Sequence, residues 1–219
     1  MNIAKEIISI KNKLEPYEAQ LVAVSKTKPV ELIQEAYDCG QRIFGENKVQ
    51  ELKDKSPVLP TDIEWHMIGH LQSNKVKFIA PYISLIHSVD SMKLIQEINK
   101  QAIKNDRVIK FLLQIHIAQE DSKFGIPYNN AHTFLKEYEN ENYSNTELVG
   151  LMGMATNTTD TNIVQAEFNA LKDLFDSVKK QMNLPNFTEL SMGMSNDYDL
   201  ALEAGSTLIR IGSSIFGKR

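Results

Sequence analysis

Eight times along this chain a short apolar segment runs into a polar or glycine-containing turn and then into an amphipathic stretch. No other feature restricts the fold as strongly. The apolar segments are Gln20–Thr27, Arg42–Asn47, Ile63–Gly69, Leu85–Asp90, Val108–Ile117, Glu147–Met154, Thr188–Ser195 and Thr207–Ile211. Their short length and valine-rich composition suit strands rather than helices. Their near-uniform apolarity suits strands buried on both faces, as in parallel sheets. Helical spacing fills the gaps. Val30–Cys39 carries Leu32, Ile33 and Ala36; Met92–Ile103 carries Leu94, Ile95, Ile98 and Ala102; Ile163–Met182 carries Val164, Phe168, Leu171, Leu174, Phe175 and Val178. The remaining gaps hold Lys48–Lys55, Asn74–Ile79, Asn129–Tyr138 and Tyr198–Glu203, and a helix over Ile3–Leu14 leads the chain. Crossovers of this length permit parallel pairing. Eight β/α units in 219 residues predict an α/β fold: a single (β/α)8 TIM barrel with an extra N-terminal helix, one domain over residues 1–219. The alternative is an open doubly wound sheet, but no Gly-x-Gly-x-x-Gly follows the first strand.

Composition removes several function classes. The net charge of −4 offers no basic footprint for nucleic acid. The single cysteine, Cys39, excludes an intramolecular disulfide framework and suits a reducing compartment. The N-terminus has no apolar signal region, and no run approaches the roughly 18 apolar residues of a membrane span. We therefore expect a cytoplasmic protein with neither nucleic acid nor membrane as partner. Residues 137–145 are acidic and polar and read as a solvated connection.

In a barrel the ligand face lies at the C-terminal ends of the strands, and the polar residues gather there. Lys26 ends the first strand. There it either caps the strand and reaches water or, desolvated, serves as an amine nucleophile toward a carbonyl. Ser195 ends the seventh strand, ahead of a helix near Tyr198, and Gly212-Ser213-Ser214 follows the eighth. Small residues and hydroxyls on these two adjacent strands favour a phosphate over two unrelated turns. Arg210 interrupts an apolar strand and needs an acceptor, either a carboxylate such as Glu46 or Asp90 or a ligand atom. His66, His70, His87 and His116 lie near the rim without tight metal-ligand spacing, so no metal is expected. Met152, Met154, Met192 and Met194 read as filling for the barrel interior. Glu46, Asp90 and Asp121 are scattered carboxylates with no acid/base pairing assigned.

Several long motifs, in order, carry a family resemblance over nearly the whole chain. They are Ala23-Val24-Ser25-Lys26-Thr27-Lys28-Pro29, Phe44-Gly45-Glu46-Asn47 with Gln50-Glu51, and Trp65-His66-Met67-Ile68-Gly69-His70-Leu71-Gln72-Ser73-Asn74-Lys75. They continue with His87-Ser88-Val89-Asp90, Leu190-Ser191-Met192-Gly193-Met194-Ser195 and Ile209-Arg210-Ile211-Gly212-Ser213-Ser214-Ile215-Phe216-Gly217. The chain resembles the pyridoxal phosphate homeostasis proteins (YggS-like or PROSC-like), whose fold is similar to the N-terminal barrel of alanine racemase. The resemblance implies that pyridoxal 5′-phosphate (PLP) is held as a Schiff base on Lys26. Its phosphate would sit at Ser195, Gly212 and Ser213, its pyridine nitrogen would face Arg210, and Asn47 would line the pocket. The family pattern has threonine more often at Ser213 and asparagine more often at His116; serine keeps the hydroxyl, while His116 alters that part of the rim.

The implied function is non-catalytic: intracellular vitamin B6 homeostasis, with PLP held and passed to apo PLP-enzymes as recipients, by a monomer. An arginine at the pyridine nitrogen cannot keep the ring protonated, so the ring is a poorer electron sink. The chain ends within ten residues of Arg210, where alanine racemase continues into a second domain that supplies an opposing base. The alternative is a PLP-dependent amino-acid racemase or lyase with His116 or His87 as base. A third reading is a barrel enzyme using the lysine on a phosphorylated metabolite without PLP.

Overall fold

The computed structural model describes residues 2–120, 124–182 and 184–217. Helix α1 (Ile3–Leu14) begins at Asn2, whose side chain accepts the Lys5 amide and so caps an otherwise unsatisfied turn. It buries Ile3, Ile7, Ile10 and Leu14, one apolar stripe at helical spacing. The barrel strands are β1 (Gln20–Val24), β2 (Ile43–Glu46), β3 (Glu64–Met67), β4 (Leu85–Val89), β5 (Ile109–His116), β7 (Thr146–Gly153), β8 (Glu189–Met194) and β9 (Leu208–Ile211). Every pairing is parallel, and β1 joins β9 while β4 joins β5, so the sheet closes on itself. The helices between them are α2 (Val30–Asp38), α3 (Val49–Lys55), α4 (Met92–Lys104), α5 (Ala131–Asn140), α6 (Thr161–Gln181) and α7 (Tyr198–Glu203), with α8 (Ser213–Phe216) after β9. The eight-unit barrel read from the sequence is the observed architecture.

Three local features differ from the expectation. The crossover after β3 is a 3-10 helix, Ser73–Phe78, that buries only Val76; with one residue to bury and Pro81 close behind, nothing supports a full α-helix. A two-residue strand, β6 (Ile126–Pro127), is appended to the end of β5, a proline-containing edge piece too short to leave a periodicity. Helix α8 was not anticipated because four residues carry no helical pattern.

Alternation along each strand sorts side chains into two cores. One set, including Leu21, Ala23, Trp65 and Met192, packs outward against the helices. Val22, Leu85, Leu112, Val149, Met152 and Leu208 fill the interior, with Met154 packed against them. The expectation for the methionines is therefore corrected at two positions. Met192 belongs to the outer core because its neighbour Ser191 points inward, and Met194 is exposed at the rim.

The register between β8 and β9 shifts between Ser191, opposite Leu208, and Met194, opposite Arg210. This bulge centres on Gly193, whose φ of +91° is costly for any residue with a side chain. A Cβ there would also stand 2.5 Å from the Cβ of Ala201 on α7. Gly193→Ala is expected to cost about 2–4 kcal/mol through strain and overpacking together. Thermal unfolding should show this as a fall in Tm of roughly 5–15 °C. A change under about 2 °C would mean that the bulge tolerates a side chain.

Candidate functional site

Lys26 stands where β1 gives way to a turn. The strand ends at Val24, three residues short of the Gln20–Thr27 range read from the sequence, so Lys26 lies just beyond it. Ser25 remains fully buried and Lys26 is half-buried. Thr27 then takes φ +64°, a left-handed conformation that threonine does not favour and that neighbours must hold.

A buried polar cluster provides that hold on both sides of Lys26. Lys55 Nζ donates to the Ser25 carbonyl at 2.9 Å, to Glu46 Oε1 at 2.7 Å and to Glu51 Oε2 at 2.8 Å. The Ser25 hydroxyl donates to Glu46 Oε1 at 2.6 Å, and the Thr27 amide donates to Glu51 Oε2 at 2.6 Å. Glu46 and Lys55 are both buried. Burial pushes the Glu46 carboxyl above its ordinary value against the pull of Lys55 and Ser25, and its Oε2 has no hydrogen-bond partner. At Glu51 burial also pushes upward, but Lys55 and the Thr27 amide outweigh it and hold the group below its ordinary value.

The ends of β8 and β9 meet as the sequence suggested. Ser213 Oγ donates to Ser195 Oγ at 3.1 Å, and both residues line a rim cavity of about 860 Å³ with Asn157, Thr158 and Asn196. Asp197 borders the same cavity, with one carboxylate oxygen accepting the Met194 amide at 2.6 Å. Gly212 precedes α8; a Cβ on it would lie 2.9 Å from the Val24 carbonyl, so its smallness brings β9 tight against β1, the strand that leads to Lys26.

Arg210 is buried inside the barrel. It pairs with neither Glu46 nor Asp90, which corrects the ion-pair alternative. Its Nη1 donates to Ser191 Oγ at 2.5 Å and its Nη2 to the Gly153 carbonyl at 3.0 Å. Glu46 is taken by Lys55, and Asp90 faces His70 at 3.8 Å. Burial lowers the guanidinium to about 10 while the charge of Asp197 opposes that fall, so it remains cationic at neutral pH.

Asn47 lies at the end of the strand paired with β1. It follows β2 and lines a second cavity of about 310 Å³ with Lys53, His70, Lys75 and Phe78. His116 ends β5 with Nε2 at 2.9 Å from the Glu120 carbonyl, closing a short loop. Asp121 lies outside the described residues. Among the described residues no group of His, Cys, Asp and Glu is arranged to hold a metal, and no helix is long and apolar enough to cross a membrane.

The sequence reading did not assign roles to Lys55 or Ser191. Lys55 ends an amphipathic helix, a place where a lysine is ordinarily solvated; only the pairing of β1 with β2 brings Ser25 and Glu46 beside it. Ser191 carried a weak signal, a hydroxyl on an apolar strand two residues before the bulge.

Fold and rim together define a barrel of the alanine racemase N-terminal class, and the family model described as "Alanine racemase, N-terminal domain" matches residues 1–219. Two curated relatives called pyridoxal phosphate homeostasis protein, from Aquifex aeolicus and Homo sapiens, are 40% and 42% identical. Their alignments cover 92% and 91% of this chain and 87% and 76% of theirs. PipY of Synechococcus elongatus is 36% identical; its structure without PLP superposes with a TM-score of 0.91 and its structure with PLP bound with 0.87, each over 98% of this chain and 100% of PipY. The chain belongs to the pyridoxal phosphate homeostasis protein family.

Lys55→Met leaves Glu46 buried without its cation, an expected loss of about 3–5 kcal/mol at neutral pH. The pH dependence follows from Glu46. Its folded-state carboxyl lies above the unfolded value, so the unpaired group costs little while protonated and more as pH rises through the raised value. The Tm deficit of the variant should therefore widen as pH rises from the acid range through neutrality. A deficit that narrows over that range would contradict this assignment.

Proposed function

We propose that this protein holds PLP reversibly through Lys26 and takes part in PLP homeostasis without turning over a substrate. The observation that carries the proposal is the grouping of four features on one end of the barrel: Lys26 clamped at the end of β1, the paired Ser195 and Ser213 hydroxyls, Gly212 between strands, and a buried cationic Arg210 bonded, among the described residues, to neutral acceptors. These residues suit the cofactor. Two hydroxyls beside a large rim cavity can donate to phosphate oxygens. A buried guanidinium with donors remaining can meet a ring nitrogen lone pair. When bound, PLP supplies an aldehyde with which a lysine amine condenses to a Schiff base.

The chain's own residues then set the outcome. Lys26 must offer an uncharged amine, and the bonds that Lys55 makes on both sides of it set its backbone. Arg210 would face the ring as a donor and, holding its own proton far more tightly than a pyridine does, would leave the ring nitrogen unprotonated. The two histidines that a racemase or lyase would need are committed elsewhere. His116 is bonded at Glu120, and His87 is fully buried between Ser191 and His66. Asn47 would border the site from β2. We place the protein in the cytoplasm, as one domain acting as a monomer that hands PLP to apo PLP-enzymes; free Cys39 and a rim open to solvent support that reading.

Purified protein loaded with PLP and then freed of unbound cofactor should retain a yellow colour, and Lys26→Ala treated in the same way should lose it. Ser195→Ala and Ser213→Ala should each weaken PLP by roughly 10- to 100-fold, the loss of one charge-assisted hydrogen bond. Neither should weaken pyridoxal, which lacks the phosphate. Equal losses for both compounds would remove the phosphate from these hydroxyls, and undiminished colour in Lys26→Ala would remove Lys26 from the site.

A further inference from the structure

A line of hydrogen bonds runs from Arg210 through the middle of the barrel to its opposite mouth. Ser191 Oγ lies 2.5 Å from Arg210 Nη1 and 2.9 Å from His87 Nδ1. His87 Nε2 lies 3.0 Å from His66 Nδ1, the two rings being 5.0 Å apart and tilted by 48°. All four side chains are buried, at 4% exposure or less. His66 borders a cavity of about 460 Å³ at the N-terminal mouth, among Glu64, Lys110 and Glu189. None of these groups other than Arg210 belongs to the proposed PLP contacts.

Donor accounting gives the line a direction. A guanidinium can only donate, so Ser191 Oγ accepts from Arg210. The serine hydrogen must then go elsewhere, and among the described residues the other partner of that hydroxyl is His87 Nδ1. His87 Nδ1 is therefore an acceptor, its proton is on Nε2, and it donates to His66 Nδ1. His66 carries its own proton on Nε2. The opposite polarity would make Ser191 accept twice and leave a buried hydroxyl hydrogen unpaired, which interiors avoid. A cationic His87 would set a second positive charge beside Arg210. Burial opposes that charge, holding His66 down to about 3 and His87 well below its ordinary value, with His66 and Arg210 adding to the effect on His87.

We propose that His87 and His66 are positioning residues that act through Ser191 to hold Arg210 in place against the cofactor ring, with both imidazoles neutral and protonated on Nε2. The part of this that concerns the ring rests on the PLP reading above; the tautomers do not. Neutral imidazoles suit the task physically. They orient a buried cation through hydrogen bonds while adding no charge, so Arg210 keeps the remaining donor capacity of its guanidinium for a ligand.

The tautomers can be read in the protein without cofactor, by long-range ¹H–¹⁵N correlation of ¹⁵N-labelled histidines at neutral pH. Both rings are expected to show a protonated Nε2 and an acceptor-type Nδ1. A cationic ring, or a proton on Nδ1 of either residue, overturns the proposal. The positioning role is read from PLP labelled with ¹⁵N in its ring, bound to the wild type and to His87→Phe. The ring nitrogen should resonate as a hydrogen-bonded, unprotonated pyridine in the wild type and move toward its unbonded position in the variant, while His87→Asn, which can still accept from Ser191, should move it less. An unchanged resonance in a folded His87→Phe overturns the proposal. Should the wild type fail to bind labelled PLP at all, the cofactor reading falls, and the tautomers still decide the relay. Should His87→Phe fail to fold, Ser191→Ala carries the same test.

Discussion

The charge on Arg210 organises this molecule. A guanidinium does not give up its proton in a protein, and taking one out of water is costly unless it finds acceptors. Inside the barrel it has two, the Ser191 hydroxyl and the Gly153 carbonyl, and both are neutral. Holding those two acceptors in place requires strands β7, β8 and β9 in their observed register, and the β8 bulge at Gly193 sets that register. The arrangement leaves a buried cation whose donors are not exhausted. Such a group is poorly explained as a stabilising device and well explained as one face of a ligand site.

Lys26 is governed by the same physics at the neighbouring strand. It stands on a turn whose left-handed Thr27 is held by a carboxylate on α3 and whose preceding serine is held by a carboxylate on β2, both tied to Lys55. The two cations thus have different surroundings. Lys55 is bonded to two carboxylates, whereas the hydrogen bonds of Arg210 go to the neutral Ser191 hydroxyl and Gly153 carbonyl. The close packing of Gly212 on Val24 fixes the strands that bear Lys26 and Arg210 side by side.

Much of this was legible in the sequence, for identifiable reasons. The strand–helix alternation survives in the sequence because both faces of a parallel strand are buried, so Gln20–Val24 and Leu208–Ile211 announce themselves. Lys26, Ser195, Gly212 and Ser213 were visible as polar breaks at strand ends. Arg210 was visible as a charge in an apolar run, though its partner was not, because Ser191 lies a bulge away on another strand. Lys55 was illegible for a similar reason: a lysine ending an amphipathic helix looks solvated until the fold sets two carboxylates against it. His66 and His87 stood on different strands with no spacing to link them, and only barrel closure brings their rings together. Asn47 was carried by the resemblance alone, since an asparagine after a short strand has no signal of its own.

The central claim is that one lysine, held at the end of β1, carries the cofactor reversibly. Borohydride reduction of the PLP-loaded protein, followed by proteolysis and mass mapping, tests it most directly. The account predicts one stoichiometric reduced adduct, on Lys26, and no adduct when loading is reversed by dilution before reduction. A principal adduct on Lys28, Lys55 or any other lysine would contradict it.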